Sequence, residues 1–400
     1  MIVPSHTCDV LIVGGGPAGS TCAWQLQQLG VDVRILDRAT FPRDKVCAGW
    51  ITPQVVESLE LDLDEYRFGR ELQPITSFRV GVLDGHARSD RAVRVDYEQP
   101  VSYGIRRCEF DEFLLRRSGA PIQEGVTIHS VKRDGDDWLL NDRYRARVLV
   151  GAGGHFCPVA RHVRLNRADK TNDTESRIVI AQEVEYELSG SSAGCQIEPG
   201  IPELFFYPDL KGYAWCFRKG NWLNIGLGRE GERNLSRWRD EFVQWLVGQE
   251  RISEPPVGSF KGHAYRLNSA SVNAVADEGI ILIGDAAGLA NPHSGEGIRP
   301  AIESALIAAH TIAAVGDRHG NEMAIRFNER LSQRFGNARK DAESSLVPVC
   351  LRNWLARNLL RRRRFVRDVV LDDWFLNRST PALKLSQPVS NAVAATVVRP

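Results

Sequence analysis

The sequence predicts an α/β protein. A Rossmann-like dinucleotide-binding domain is assembled from separate stretches, an antiparallel β-rich lobe is inserted into it, and a helical tail follows. Three observations lead there. The chain opens with a strand, a glycine turn, a helix and a second strand that closes on an acid. Short, continuous apolar runs, of the kind buried in parallel sheets, recur at the start, in the middle and near residue 280. Between them lie stretches of short strands and turns with Trp and Tyr interleaved, as antiparallel sheets show.

Residues 8–13 are the first apolar run, a buried strand that ends in glycines. Gly14-Gly15-Gly16-Pro17-Ala18-Gly19 satisfies GxGxxG. Gly14 permits the tight turn, Gly16 lets backbone approach a pyrophosphate, and Gly19 lets helix and strand pack closely. Residues 17–29 carry Cys22, Ala23, Leu26 and Leu29 on one side of a helix, which Gly30 stops. Its N-terminus offers free N–H groups and a positive dipole end to phosphates. Residues 31–36 form the second strand. Asp37 at its end is placed to accept hydrogen bonds from a ribose hydroxyl, and Arg38 follows it.

Residues 71–105 read as short strands and turns, and 110–117 as a helix. Residues 147–150 read as a buried strand running into Gly151-Ala152-Gly153-Gly154. Residues 175–275 read as strands, 279–283 as a further buried strand, and 298–315 as a long apolar helix. The dinucleotide domain is therefore expected over 1–75, 106–165 and 276–325. The β-rich substrate lobe takes 76–105 and 166–275, and the helical region 326–400.

Bulk properties narrow the class. A chain of 400 residues with 43% hydrophobic content has room for two such domains. A formal net charge of +1 gives no field that favours nucleic acid. The eight cysteines are scattered without a CxxC pair, so neither a metal site nor a disulfide framework is expected, and a reducing cytoplasm fits best. No basic N-terminal segment leads into an apolar run, so no signal peptide is expected.

A second signature selects the dinucleotide. The 280–283 run leads into Gly284-Asp285-Ala286-Ala287-Gly288 and then Asn291-Pro292-His293-Ser294-Gly295-Glu296-Gly297-Ile298. This combination resembles the flavin motif of the p-hydroxybenzoate hydroxylase-like superfamily, whose Rossmann-like domain is of the GR2 type and binds FAD. The resemblance implies that Asp285 binds the ribityl chain and that the loop from Gly295 to Gly297 lies against the flavin pyrimidine edge. Ile298 begins a helix whose N-terminus would stabilise negative charge on reduced flavin. Arg107, three residues before Phe110-Asp111, matches the family's R-x-x-F-D helix, which implies a place near the FAD phosphates. Adjacent Arg106 competes for that role.

Within the superfamily, residues 8–330 look like the geranylgeranyl reductase family. Lys45-Val46-Cys47-Ala48-Gly49-Trp50 resembles its KxCGG-type loop, with Ala48 where many reductases have Gly. Gly151-Ala152-Gly153-Gly154 through Cys157-Pro158-Val159 resembles its GAGGxxCPV stretch. Tyr213-Ala214-Trp215-Cys216-Phe217 resembles its YxWxF strand, which borders the substrate cavity. The resemblance implies that Lys45, Cys47, Ala48, Gly49 and Gly153 lie around the cofactor. Cys47 reads either as an inert buried thiol or as a catalytic group beside the flavin. Tyr213 and Trp215 alternate and so share one face, either as core aromatics or as the wall of a cavity for an apolar, extended substrate.

The expected activity is that of a flavin-dependent reductase or dehydrogenase. Hydride passes from flavin N5 to a carbon–carbon double bond of an apolar, isoprenoid-type substrate. The competing reading is an oxygen-using monooxygenase or halogenase. The halogenase WxWxIP pattern is not met at 213–217, and Gly153-Gly154 replaces the Asp-Gly that many hydroxylases carry. No second fingerprint exists for NAD(P)H, so NAD(P)H or a separate electron-donor protein is expected to dock transiently. Finally, residues 351–367 carry Arg352, Arg357, Arg361, Arg362, Arg363, Arg364 and Arg367, with Leu351, Trp354, Leu355 and Leu359 at helical spacing. Such a helix either packs on the protein with solvated arginines or lies on an anionic membrane.

Overall fold

The computed structural model describes residues 6–83, 92–166, 177–188, 194–232, 234–268, 276–316, 320–336, 355 and 357–385. Its largest sheet has eight strands. Five of them, Ile280–Leu282, Tyr144–Gly151, His6–Val13, Val33–Leu36 and Ile122–Gln123, run parallel in that spatial order. Val10, Leu11, Ile12, Val148, Leu149 and Val150 are almost completely buried, as strands covered on both faces must be. The register decides where the site lies. Val13 stands opposite Leu36 and Gly151, and Gly151 opposite Leu282. The loops that follow these four residues therefore leave the sheet along one edge, the crevice where open α/β sheets bind ligands.

The Pro17–Gln28 and Ile298–Val315 helices pack against each other on this sheet. By length and composition the second could cross a membrane, but 89% of it is buried in the protein, which makes it a core helix. The Asn321–Phe335 helix packs beside it and runs across position 325, where the dinucleotide domain was expected to end.

The described strands within 77–96 and 178–266 build a second, seven-stranded sheet. It is antiparallel except where Glu203–Phe206 pairs parallel with Ser77–Val82. Trp50–Ile51, Leu72–Ile75 and Ser102–Ile105 form a small antiparallel sheet between the two large ones.

Two expectations need correction. The 175–275 stretch is not all strand, because Ser236–Gly248 is a helix. It buries Phe242 and Leu246 against Ala214, Cys216, Ile225 and Leu227 on the outer face of the lobe sheet. That face needs an apolar cover, and the Trp-bearing sequence supplies one with helical spacing.

The basic tail is the second correction. Residues 351–354 and 356, with Leu351, Arg352 and Trp354, lie outside the described residues. Beyond them no single amphipathic helix forms. The chain turns at Leu360 and Arg361, and a short Arg363–Phe365 helix runs into a π-helical Val366–Phe375. Val366, Val370, Leu371 and Phe375 are buried. That spacing of four to five residues falls on one face of an i→i+5 winding, where an α-helix would splay it. This face and Leu360 cover the inner face of the lobe sheet with Trp50, Phe78, Trp215 and Phe217.

Candidate active site

The loops at the parallel-strand edge and the inner face of the second lobe enclose one cavity of about 750 Å³. Of the residues singled out in the sequence, Gly14, Gly16, Pro17, Ala18, Asp37, Arg38, Lys45, Cys47, Ala48, Gly49, Arg107, Gly153, Tyr213, Trp215, Asp285, Gly295, Gly297 and Ile298 all line it. Gly19 and Gly284 do not. A Cβ on Gly19 would lie 1.8 Å from the Gly14 carbonyl oxygen, so this glycine serves the packing of helix on strand. Gly284 has φ +59 and donates its N–H to Ser304 Oγ at 3.0 Å, turning the chain between its strand and the Ile298–Val315 helix.

At one end, Gly14 has φ +115 and sits against the Ala152 carbonyl. The Pro17–Gln28 helix begins without a side-chain cap, which leaves first-turn N–H groups open beside Gly16. Asp37 accepts from Gly15 N at 2.6 Å and Ala39 N at 2.8 Å. Its carboxylate thus braces the glycine turn and keeps lone pairs for a hydroxyl.

Arg107 is buried and bidentate to Asp111 at 2.8 and 2.9 Å, with Arg43 3.3 Å from the same carboxylate. Arg106 instead pairs with Glu109 at 2.7 Å and Glu185 at 3.4 Å and stacks on Trp222, so of the two neighbours it is Arg107 that lines the cavity. Lys45 faces the cavity with no hydrogen bond or ion pair among the described residues. Protein around its other sides pulls its pKa down to about 8, against the opposing pull of Asp285. Burial works against charge on Asp285, but His263, Lys45 and Arg107 outweigh it and hold the carboxyl below the usual range. His263 Nε2 stands 3.6 Å from Asp285 Oδ2.

At the other end the wall is aromatic. The Tyr213 and Trp215 rings lie 6.0 Å apart, and Trp50, Tyr265 and Phe375 complete the wall. Tyr213 donates its hydroxyl proton to the Ser294 carbonyl at 2.6 Å, which ties the 294–297 loop to this wall.

The model of a family described as FAD binding domain matches residues 7–326. The chain belongs to that family. This FAD-binding protein is an FAD-dependent oxidoreductase. It is 25% identical to a digeranylgeranylglycerophospholipid reductase of Methanocaldococcus jannaschii, over 75% of each chain. It is 28% identical to a menaquinone reductase of Mycobacterium tuberculosis, over 80% of this chain and 82% of that one. A geranylgeranyl bacteriochlorophyll reductase-like protein from Thermoplasma acidophilum has the same fold, with a TM-score of 0.71 at 20% identity, over 93% of this chain and 90% of that one.

The residues present fit FAD. The uncapped helix N-terminus, the unpartnered Lys45 and Arg107 suit a pyrophosphate. A Cβ at Gly16 would project into the cavity and meet only Arg43 Nη2, at 3.2 Å. Asp37 suits a ribose, and Asp285 the ribityl chain. Gly297, which precedes the Ile298–Val315 helix, supplies no side-chain cap of its own. Glu296 beside it accepts from Arg299 N at 2.7 Å. Burial pushes the Glu296 carboxyl up to about 7 despite that bond.

Sequence reading missed Arg43, His263, Tyr265, Glu296 and Phe375. Arg43 adjoins a recognised motif and Glu296 lies inside one, in the Gly295–Gly297 loop, although no role was read for either. His263, Tyr265 and Phe375 carry no local signal. Cys157, by contrast, is buried under Gly151 and Gly153 and packs as a structural thiol.

Proposed function

We propose that the protein reduces a carbon–carbon double bond of an apolar, isoprenoid-type substrate. The observation that carries this reading is the aromatic half of the cavity, where Trp50, Tyr213, Trp215 and Phe375 adjoin the 294–297 flavin loop. The relatives named as reductases of digeranylgeranyl lipids and menaquinone support it.

When bound and reduced, FAD supplies a hydride; the protein supplies the rest. The aromatic wall takes up an extended hydrocarbon and excludes water. Tyr213 commits its proton to Ser294, so it holds the flavin loop against the wall and is not the acid. The carbon that does not receive hydride needs a proton, and in this reading the Cys47 thiol on the cavity wall delivers it. NAD(P)H or a separate protein, docking transiently, returns the two electrons.

The test is anaerobic. FAD-loaded protein reduced with dithionite should be reoxidised by a geranylgeranyl compound, with a product two hydrogens heavier. Cys47→Ala should slow that reoxidation about a hundredfold. No reoxidation by prenyl compounds, with rapid oxygen consumption and an oxygenated product, would replace this reading with a monooxygenase.

The segment that brings Phe375 to the cavity also exposes Arg361, Arg362, Arg364 and Arg367. An anionic lipid surface is the partner we assign to them in this reading, because the substrate is lipid-like. Vesicles containing phosphatidylglycerol should sediment the protein at low salt and release it at high salt. Equal binding to neutral vesicles would remove the assignment.

A further inference from the structure

Residues 45–49 form part of the cavity wall, and the second lobe grips them from behind. Cys47 N donates to Glu183 Oε2 at 2.6 Å, and the Cys47 carbonyl accepts from Asn224 Nδ2 at 3.3 Å. The Ala48 carbonyl accepts from Lys219 Nζ at 3.1 Å. Both peptide groups flanking the Cys47 Cα are thus held by side chains from Ile178–Glu187 and Trp222–Glu230, neighbouring strands of the other lobe.

Asn224 is the hub. It is 1% exposed and does not line the cavity. Its Oδ1 accepts from Trp215 Nε1 at 2.6 Å. An indole N–H only donates, so that contact fixes which end of the amide faces Trp215 and turns Nδ2 toward Cys47. Nδ2 also reaches Glu183 Oε2 at 3.4 Å and Glu185 Oε1 at 3.3 Å. Glu185 in turn pairs with fully buried Lys219 at 2.5 Å. Burial pushes the Glu183 carboxyl up to about 8, although Lys219 and the Cys47 N–H pull the other way. Burial also opposes charge on Glu185, but Lys219 outweighs it and keeps that group ionised.

Beyond its internal side-chain pairs, the cluster directs hydrogen bonds at the backbone of one cavity wall and at the indole of another. We propose that Asn224 is a positioning residue that fixes the Cys47 loop and Trp215 relative to each other across the cavity, with Glu183 holding the other side of the loop. Its bearing on catalysis rests on the reading in which Cys47 and Trp215 face the substrate.

The experiment uses FAD-loaded protein and a maleimide, with labelled cysteines identified by peptide mass spectrometry and Cys47→Ala as the control. Asn224→Ala should raise the rate of Cys47 labelling roughly tenfold, because a loop released from buried hydrogen bonds opens more often. It should lower kcat on a geranylgeranyl compound more than it changes KM. Glu183→Gln keeps an acceptor oxygen for Cys47 N, so its Cys47 labelling should match wild type. Trp215→Phe keeps an aromatic ring while removing the indole N–H together with part of the ring's volume, and should raise labelling in the same direction. It serves alone where Asn224→Ala fails to fold. Unchanged Cys47 labelling in Asn224→Ala, or in Trp215→Phe when Asn224→Ala is unfolded, overturns the proposal. Altered labelling in a protein that turns over no prenyl compound overturns the proposed function and leaves the positioning role standing.

Discussion

Gly14→Val is expected to give a protein that purifies without FAD. At φ +115 a β-branched residue is strained by about 1–3 kcal/mol before any contact is considered. Its Cβ would then lie 2.4 Å from the Ala152 carbonyl oxygen and 2.7 Å from Gly153 N. Both contacts are backbone, so no side chain can swing away. The two loops that must part are the ones that follow Val13 and Gly151, which are paired in register. Opening them moves Gly16 and the uncapped helix N-terminus away from the phosphate position. The flavin-to-protein absorbance ratio should fall close to zero, and FAD affinity of the apoprotein by more than about a hundredfold. Gly30→Ala is the control. Gly30 also has positive φ, +73, but nothing lies within 4 Å of its Cβ. That variant should lose a little stability and keep its FAD. A Gly14→Val protein with wild-type flavin content would show that the glycine turn does not hold the pyrophosphate.

Glu303→Ala is expected to be the most destabilising single change outside the nucleotide turn. Glu303 is buried and accepts from Arg299 at 2.8 Å and from Arg334 at 2.6 and 2.9 Å. Arg299, also buried, donates onward to the carbonyls of Asn377, Thr380 and Pro381, and Arg334 to that of Pro381. Removing the carboxylate leaves two guanidiniums side by side without the charge that both of them bind, a change that costs about 3–5 kcal/mol. The tail is attached through those same arginines, and it supplies Phe375, whose ring packs 5.2 Å from Tyr213 and 6.1 Å from Trp50. Thermal unfolding should drop by about 5–10 °C. Trypsin should cut at Arg378 faster than in wild type, and apolar-substrate affinity should fall before FAD is lost. Glu303→Gln, which keeps acceptor oxygen, should be milder. A Tm within a degree of wild type for Glu303→Ala would show that the cluster holds nothing together.

The glycine-turn end of the cavity was legible as a set of residues that come together. Gly14, Gly16, Asp37, Asp285 and the 295–298 turn act through backbone conformation, strand burial and helix ends, and neighbouring residues set all three. The strand alternation that put Tyr213 and Trp215 on one face was legible for the same reason. Which way that face points was not, because it depends on what covers each side of the sheet. The Ser236–Gly248 helix covers one side and the Val366–Phe375 segment the other, and the aromatic-rich sequence of the first resembled the strands around it.

The substrate end belongs to the tertiary structure. Asn224 meets Cys47 across 177 positions of sequence, Glu183 meets it across 136, and Arg299 holds the tail across 78. Each of these residues is an ordinary polar or charged side chain with no pattern around it. A glycine at positive φ declares itself through its neighbours in the chain. A buried amide acquires its role only when two sheets come into register and exclude the water that would otherwise satisfy it.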